Sequence, residues 1–273
     1  MKKIFKKIGS LIRSPKLTLR VFFSIYVSLI SIKMKTNFLG TPYGGWNFVT
    51  NKNLENSTII SAGVGEDISF DIEFINLFGG KVLFVDPTPR SLIHMEGVIK
   101  NLGNKKTSNY DLTSGKQNIK SYDLLNVNNS NIEVINKALT NEADQKVKFY
   151  SPLNEEHVSY SISNWEKDKE SKRNFIEVET TTISQIALNY NLTDIPLIKL
   201  DIEGAENDVL QDMIKKEIKP YQILVEFDEL QNITLKSYVK TLQTVMLLLR
   251  EDYKLININN FPNFLFVHKR LIK

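Results

Sequence analysis

The chain has 273 residues, 42% of them hydrophobic, enough for one large core with small additions. It has no cysteine and three scattered histidines, which excludes disulfides, thiolate chemistry and a Cys-based metal site. Ten of the 35 basic residues and none of the 31 acidic ones lie in residues 1–54, so a basic head joins a body holding 25 basic against 31 acidic residues. A nucleic-acid enzyme concentrates basic charge around its cleft, so no nucleic-acid partner is expected.

The head, MKKIFKKIGSLIRSPKLTLRVFFSIYVSLISIKMK, mixes basic and apolar residues. Its apolar stretch runs only from Val21 to Ile32, between Arg20 and Lys33. A bilayer crossing needs about 20 such residues. No small-residue cleavage pattern follows, as a secretory signal would require. Two roles fit: an interfacial helix on anionic lipid through residues 1–35, or a helix packed on the body or a partner. The expected location is cytoplasmic, with peripheral attachment at the inner membrane face on the first role. Next, NFLGTPYGGWNFV is interrupted by Gly40, Pro42, Gly44 and Gly45. Tyr43 and Trp46 are candidates to line a substrate mouth, or to close the lower end of the core.

The main domain spans residues 55–273. Thr58 to Ala62 reads as a buried strand, and Gly63 and Gly65 as a tight turn. Ile68, Ile72 and Ile75 then fall on one helical face, and Gly79-Gly80 ends that helix. Lys81 to Val85 is a second buried strand, closed by Asp86. A strand, glycine turn, helix and strand with a terminal acid is the start of a nucleotide-type domain, the acid accepting from ribose hydroxyls. The third glycine of a dinucleotide turn is missing, and Glu66 and Asp67 repel a pyrophosphate. A cofactor with a ribose, no phosphate and a positive centre fits better than a nicotinamide cofactor, which remains the alternative beside a non-catalytic module.

Residues 103–131 are polar and Asn-rich and read as an insertion or mobile loop; a strand follows at 132–136. Small strands are expected at 146–150 and 175–181, flanking a second insertion, 151–174, with His157, Tyr160 and Trp165 available to a substrate. Further strands are placed at 196–200 and 221–225. Between them runs a helix from about Ala205 to Lys216, with Val209, Leu210, Met213 and Ile214 inward. Leu235, Val239, Leu242, Met246 and Leu249 share one side of another helix. A hairpin of 254–258 and 263–268 gives the mostly parallel sheet an antiparallel edge.

PLIKLDIEGAENDVLQDMI sets Asp201, Glu203 and Glu206 where an apolar run ends, and Glu226 and Asp228 end the next strand. Clustered carboxylates raise one another's pKa and yield a base near neutrality. They can equally hold a divalent cation, or simply cap helix N-termini. No metal ligand set is assigned.

SAGVGEDISFD with VLFVDPTP, INKALTN, IKLDIEGAENDVL and ILVEFD together resemble the FkbM-type methyltransferases, over roughly residues 58 to 230. The resemblance implies a Rossmann-like class I α/β fold with a seven-stranded sheet. It also implies S-adenosylmethionine as cofactor and transfer of a methyl group to a hydroxyl, on a small molecule or on a sugar of a surface glycan or glycolipid. By that match Gly63 and Gly65 lie against the cofactor's methionine part, Asp86 holds its ribose, and Ala138 lies in a further cofactor segment. Asp201 faces the reacting centre, and Glu203 and Glu206 shape the pocket. The family usually carries an acid just before the glycine turn, where this chain has Ser61 and Ala62. The amino-group contact then falls to Glu66 or elsewhere. Asp201 is the first candidate for the base, with Glu226 and His157 next.

Overall fold

The computed structural model describes residues 15–150, 174–230, 234–258 and 260–272. Helix α1 (Pro15–Ile30) leads into a small hairpin, β1 (Asn37–Leu39) and β2 (Trp46–Phe48), whose turn is the glycine-rich entry segment. The main sheet begins with β3 (Thr58–Ala62), followed by α2 (Ser69–Phe78), β4 (Lys81–Val85), α3 (Pro89–Lys100) and β5 (Ile132–Ile135). A separate three-stranded sheet holds β6 (Ala138–Leu139), β7 (Lys146–Tyr150) and β8 (Phe175–Thr181). The chain returns through α4 (Ile183–Asn189), β9 (Leu197–Leu200), α5 (Glu206–Lys215) and β10 (Gln222–Glu226). It closes with α6 (Leu235–Arg250), β11 (Tyr253–Ile256) and β12 (Asn263–His268).

Local chemistry sets several of these boundaries. Gly79 stops α2 because it takes a left-handed φ of 69° and returns its N–H to the Ile75 carbonyl. Thr182 opens α4 by accepting from the Gln185 N–H, and Thr234 with Ser237 forms a capping box on α6.

The seven-stranded sheet has the order β11-β12-β10-β9-β3-β4-β5. β10, β9, β3, β4 and β5 run parallel, and β12 enters antiparallel between β10 and β11. This is the Rossmann-like class I order with an antiparallel C-terminal pair. From β3 the chain steps outward to β4 and β5, then returns to the other side of β3 as β9. The carboxyl ends of β3 and β9 therefore flank the crevice of a doubly wound sheet.

One face of the sheet packs Phe23 of α1 with Ile183 and Ile186 of α4, Val209, Leu210 and Met213 of α5, and Val245 and Leu248 of α6. The other packs α2, α3 and the entry hairpin. The polar stretch 103–131 joins that second layer through Tyr122, Leu124 and Val127, all buried. The apolar stripe of α6 gives a correction. Leu235, Val239 and Met246 are exposed, and the buried residues of the helix are Ser237, Thr241, Thr244, Val245 and Leu248. The inner polar groups are satisfied, because Asn207 donates to Thr241 Oγ1 at 3.2 Å and Gln211 to Thr244 Oγ1 at 2.9 Å.

Helix α1 is part of the core. Phe23 is fully buried, with ring centroids 5.7 Å from Tyr238 and 5.9 Å from Phe264. Ile32 extends this attachment by bridging to Ile256 of β11. Replacing Phe23 by alanine is expected to cost about 3–5 kcal/mol, the range for a buried aromatic. Urea unfolding followed by circular dichroism checks this, and an unchanged midpoint would detach α1 from the core.

Candidate active site

At the carboxyl end of β3, Gly63 has φ +75°, and a Cβ there would lie 1.5 Å from the Asp201 carbonyl oxygen. No side chain fits between the two strand ends. The Asp201 N–H donates to the Ala62 carbonyl at 3.0 Å, and the Gly63 N–H to the Val85 carbonyl at 3.1 Å. Gly65, at φ +57°, has open space where its Cβ would be, so a ligand can approach the bare backbone there.

Asp86 holds this loop from below. Its Oδ2 accepts from the N–H groups of Val64 (2.8 Å) and Gly65 (3.1 Å), and its Oδ1 from Thr88 (2.8 Å). A carboxylate offers about four acceptor positions, so one remains for a hydroxyl. Glu66 pairs with Arg90 at 2.6 Å, while its carbonyl accepts from the Gln117 N–H at 2.9 Å. Asp67 ties three segments together: its Oδ2 accepts from Thr41 Oγ1 (2.6 Å) and Gln117 Nε2 (3.2 Å), and its Oδ1 from the Ser69 N–H (2.9 Å).

The acids gather beside this loop. Asp201 directly follows β9, and Glu203 and Gly204 come after it with φ of +56° and +102°, a tight left-handed turn before α5. That turn brings Glu206 back under it. Glu206 is fully buried, and its Oε1 accepts from the N–H groups of Ile202 (3.1 Å) and Gly204 (2.9 Å). Carboxylate oxygens of Asp201, Glu203 and Asp228 lie within 4.8 Å of one another. Like charges at that spacing require a retained proton or an incoming cationic group.

Burial raises the Glu206 carboxyl to about 8, and backbone N–H groups oppose the rise. Asp228 is raised well above the carboxylate range, first by burial and then by Glu206, Glu203, Asp201 and Glu226. Asp201 is raised by burial, opposed by Lys199 and assisted by Asp86. The site thus retains protons that isolated carboxyls lose.

Tyr43 stands over these acids. Its side chain is largely exposed, yet burial of its hydroxyl end and the charges of Asp201, Glu203 and Glu226 raise its pKa. Its ring rests against Gly115, where a Cβ would meet it at 2.1 Å. Trp46 is 3% exposed and packs in the core, with the Lys199 Nζ 5.8 Å over its ring. Ala138 is buried in β6, paired with Thr180 of β8. His157 lies outside the described residues, as do Tyr160 and Trp165. The structure therefore gathers Gly63, Gly65, Glu66 and Asp86 beside Asp201, Glu203, Glu206, Glu226 and Tyr43, and seats Trp46 and Ala138 in packed layers.

One residue of the site, Lys199, is absent from the sequence candidates, and a second, Asp228, is there only as a strand-end acid. Lys199, 2% exposed, donates from Nζ to the Gly63 carbonyl at 3.1 Å and to Ser61 Oγ at 3.4 Å. A lone lysine inside the apolar run PLIKL was the available signal, because lysine is rarely buried without a partner. Asp228 was noted at a strand end, but its pairing with Glu206 is a three-dimensional fact.

A doubly wound sheet with an antiparallel C-terminal pair is the architecture of a class I methyltransferase, and a bare glycine turn with a strand-end acid lies at its cofactor position. Residues 43–255 match the methyltransferase FkbM domain, and the chain belongs to that family. No match was found among curated proteins or solved structures. The protein is an enzyme that uses S-adenosylmethionine as methyl donor. This decides against the nicotinamide alternative. The residues present fit that cofactor: Gly65 leaves its backbone open, Asp86 keeps acceptor capacity, and the acid-rich crevice suits a cationic ligand.

Glu206 carries a stability prediction. Its folded pKa, about 8, lies above its ordinary 4.5, so the folded state holds a proton that the unfolded state releases. This contribution is fully present below pH 4.5 and is lost as pH rises toward 8. Glu206→Gln keeps the acceptor for Ile202 and Gly204 and adds a donor toward Asp228. Its melting temperature should fall less between pH 5 and 8 than that of the wild type. Parallel slopes in thermal scans across that range would show that Glu206 is ionised in the fold.

Proposed function

We propose that the methyl acceptor is a hydroxyl, on a sugar of a surface glycan or glycolipid. The observation that carries this reading is the convergence of acids from two strand ends beside the glycine turn, under an aromatic ring. Carboxylates accept hydrogen bonds from sugar hydroxyls, and Tyr43 offers a flat apolar surface to a sugar ring.

The bound cofactor supplies an electrophilic methyl group. Gly63 and Gly65 would admit its methionine part, and Asp86 would accept from its ribose. Glu66 meets the amino group only by sharing or leaving its pair with Arg90. Asp201 would take the proton of the acceptor hydroxyl. Burial raises its pKa and Lys199 opposes the rise, so the ionised form would be a stronger base than an ordinary aspartate. Glu203 and Glu226 accept from neighbouring hydroxyls and fix which oxygen reacts. Glu206, held by backbone N–H groups, keeps the Glu203 turn in shape. Glu226 and His157 are the other candidate bases. Much of the rate enhancement comes from alignment of donor and acceptor.

Calorimetry tests the cofactor half: S-adenosylmethionine and S-adenosylhomocysteine bind and NAD does not. Asp201→Asn should keep that affinity and lose about 10²- to 10⁴-fold in kcat. Wild-type turnover in this variant would remove Asp201 as the base. A hydroxyl-bearing glycan panel that yields no methylated product, with cofactor bound normally, would move the acceptor to another class.

A further inference from the structure

The outer face of α1 is apolar. Phe22, Ile25 and Leu29 are 58%, 51% and 79% exposed, while Phe23 between them is sealed in the core. Their spacing places them on one helical stripe. A shallow groove of about 460 Å³ follows it, lined by Arg20, Val21, Ser24, Ile25, Ser28 and Leu29. Ile32 continues the exposed apolar surface beyond the helix.

Charge identifies the occupant. Residues 1–54 contain ten Lys or Arg and no acid. A second copy on this face would bring two strongly basic heads together, and a protein partner more often meets a rim of both signs. An anionic bilayer satisfies both features, since apolar side chains enter the acyl boundary while Lys and Arg meet the headgroups. No helix among the described residues is long and apolar enough to cross a membrane, so this attachment lies in the interface plane.

We infer that the outer face of α1 docks the enzyme on an anionic bilayer, with Phe22, Ile25 and Leu29 in the acyl boundary. Arg20 at the groove links this face to the site. Its guanidinium lies 5.1 Å over the Phe261 ring. The carbonyl of the next residue, Pro262, accepts from the Phe227 N–H at 3.3 Å, and Phe227 follows Glu226. The docking surface therefore adjoins the carboxyl end of the sheet, and the acceptor class it implies is a glycan carried on a lipid. That last step rests on the hydroxyl-acceptor reading; the docking itself does not.

The test is co-sedimentation of the full chain with vesicles, either of phosphatidylcholine or of an equal mixture with phosphatidylglycerol. The comparison is a triple variant, Phe22→Ser, Ile25→Ser and Leu29→Ser, with circular dichroism and cofactor calorimetry to show it intact. The wild type should favour the mixed vesicles by about tenfold or more, and high salt should weaken it. The triple variant should lose about tenfold or more of that binding. Equal binding by variant and wild type, equal binding to neutral vesicles, or no wild-type binding would each overturn the inference. So would a wild-type oligomer on gel filtration that the triple variant disperses, since a second copy would then cover the face. Vesicle binding is read without turnover, so an enzyme that sediments but methylates no lipid-linked glycan keeps the docking and loses only the acceptor.

Discussion

Where β3 and β9 end, the Asp201 carbonyl occupies the space that a side chain on Gly63 would need. The two strands can close at their carboxyl ends only with glycine there, and their N–H to carbonyl bonds run unbroken to that point. Closure delivers Asp201 to the edge of the cofactor turn. It also lets Lys199, two residues earlier, reach the Gly63 carbonyl from inside the sheet. A residue with a Cβ would separate the cofactor loop from the carboxylate beside it.

The crevice assembled on this contact is electrostatically unbalanced. Asp86, Asp201, Glu203, Glu206, Glu226 and Asp228 approach it, while Lys199 is the buried cation recorded next to them. The raised pKa values of Asp201, Glu206 and Asp228 offset part of that excess. A sulfonium bound there would relieve it directly and would link cofactor binding to proton release through the same carboxylates. The layer above is fastened by Asp67, which joins the entry segment at Thr41, the loop at Gln117 and the start of α2. Tyr43 is carried over the acids by that fastening.

Strands β3, β4, β9 and β10 were legible to within a residue, because each is a largely apolar run ended by glycine or an acid. The helices were less so. α3 buries Ser91 and His94 alongside Met95 and Val98, so its apolar period is weak, and no helix was placed there or at α4. On α6 periodicity found a stripe but not its direction. The inward side is filled by threonines and a serine that bond across to α5 or to their own cap, which pattern alone reads as solvent-facing. The acid cluster was legible as composition at two strand ends. Its division into a loop-holding Glu206, a paired Asp228 and an Asp201 facing the turn depends on burial and on a backbone reversal at Glu203. Trp46 and Tyr43 looked alike in sequence, yet one is sealed under Lys199 and the other stands at the mouth.

The seating of Phe23 bears on how the chain is made. Its two aromatic neighbours are Tyr238 on α6 and Phe264 on β12, and β12 must insert between β10 and β11 before the sheet is complete. The ribosome releases α1 long before either neighbour exists. Through most of synthesis the helix therefore has apolar residues on both sides and a basic flank, with no protein surface yet built to receive it. A segment of this enzyme that emerges early is among the last to be seated.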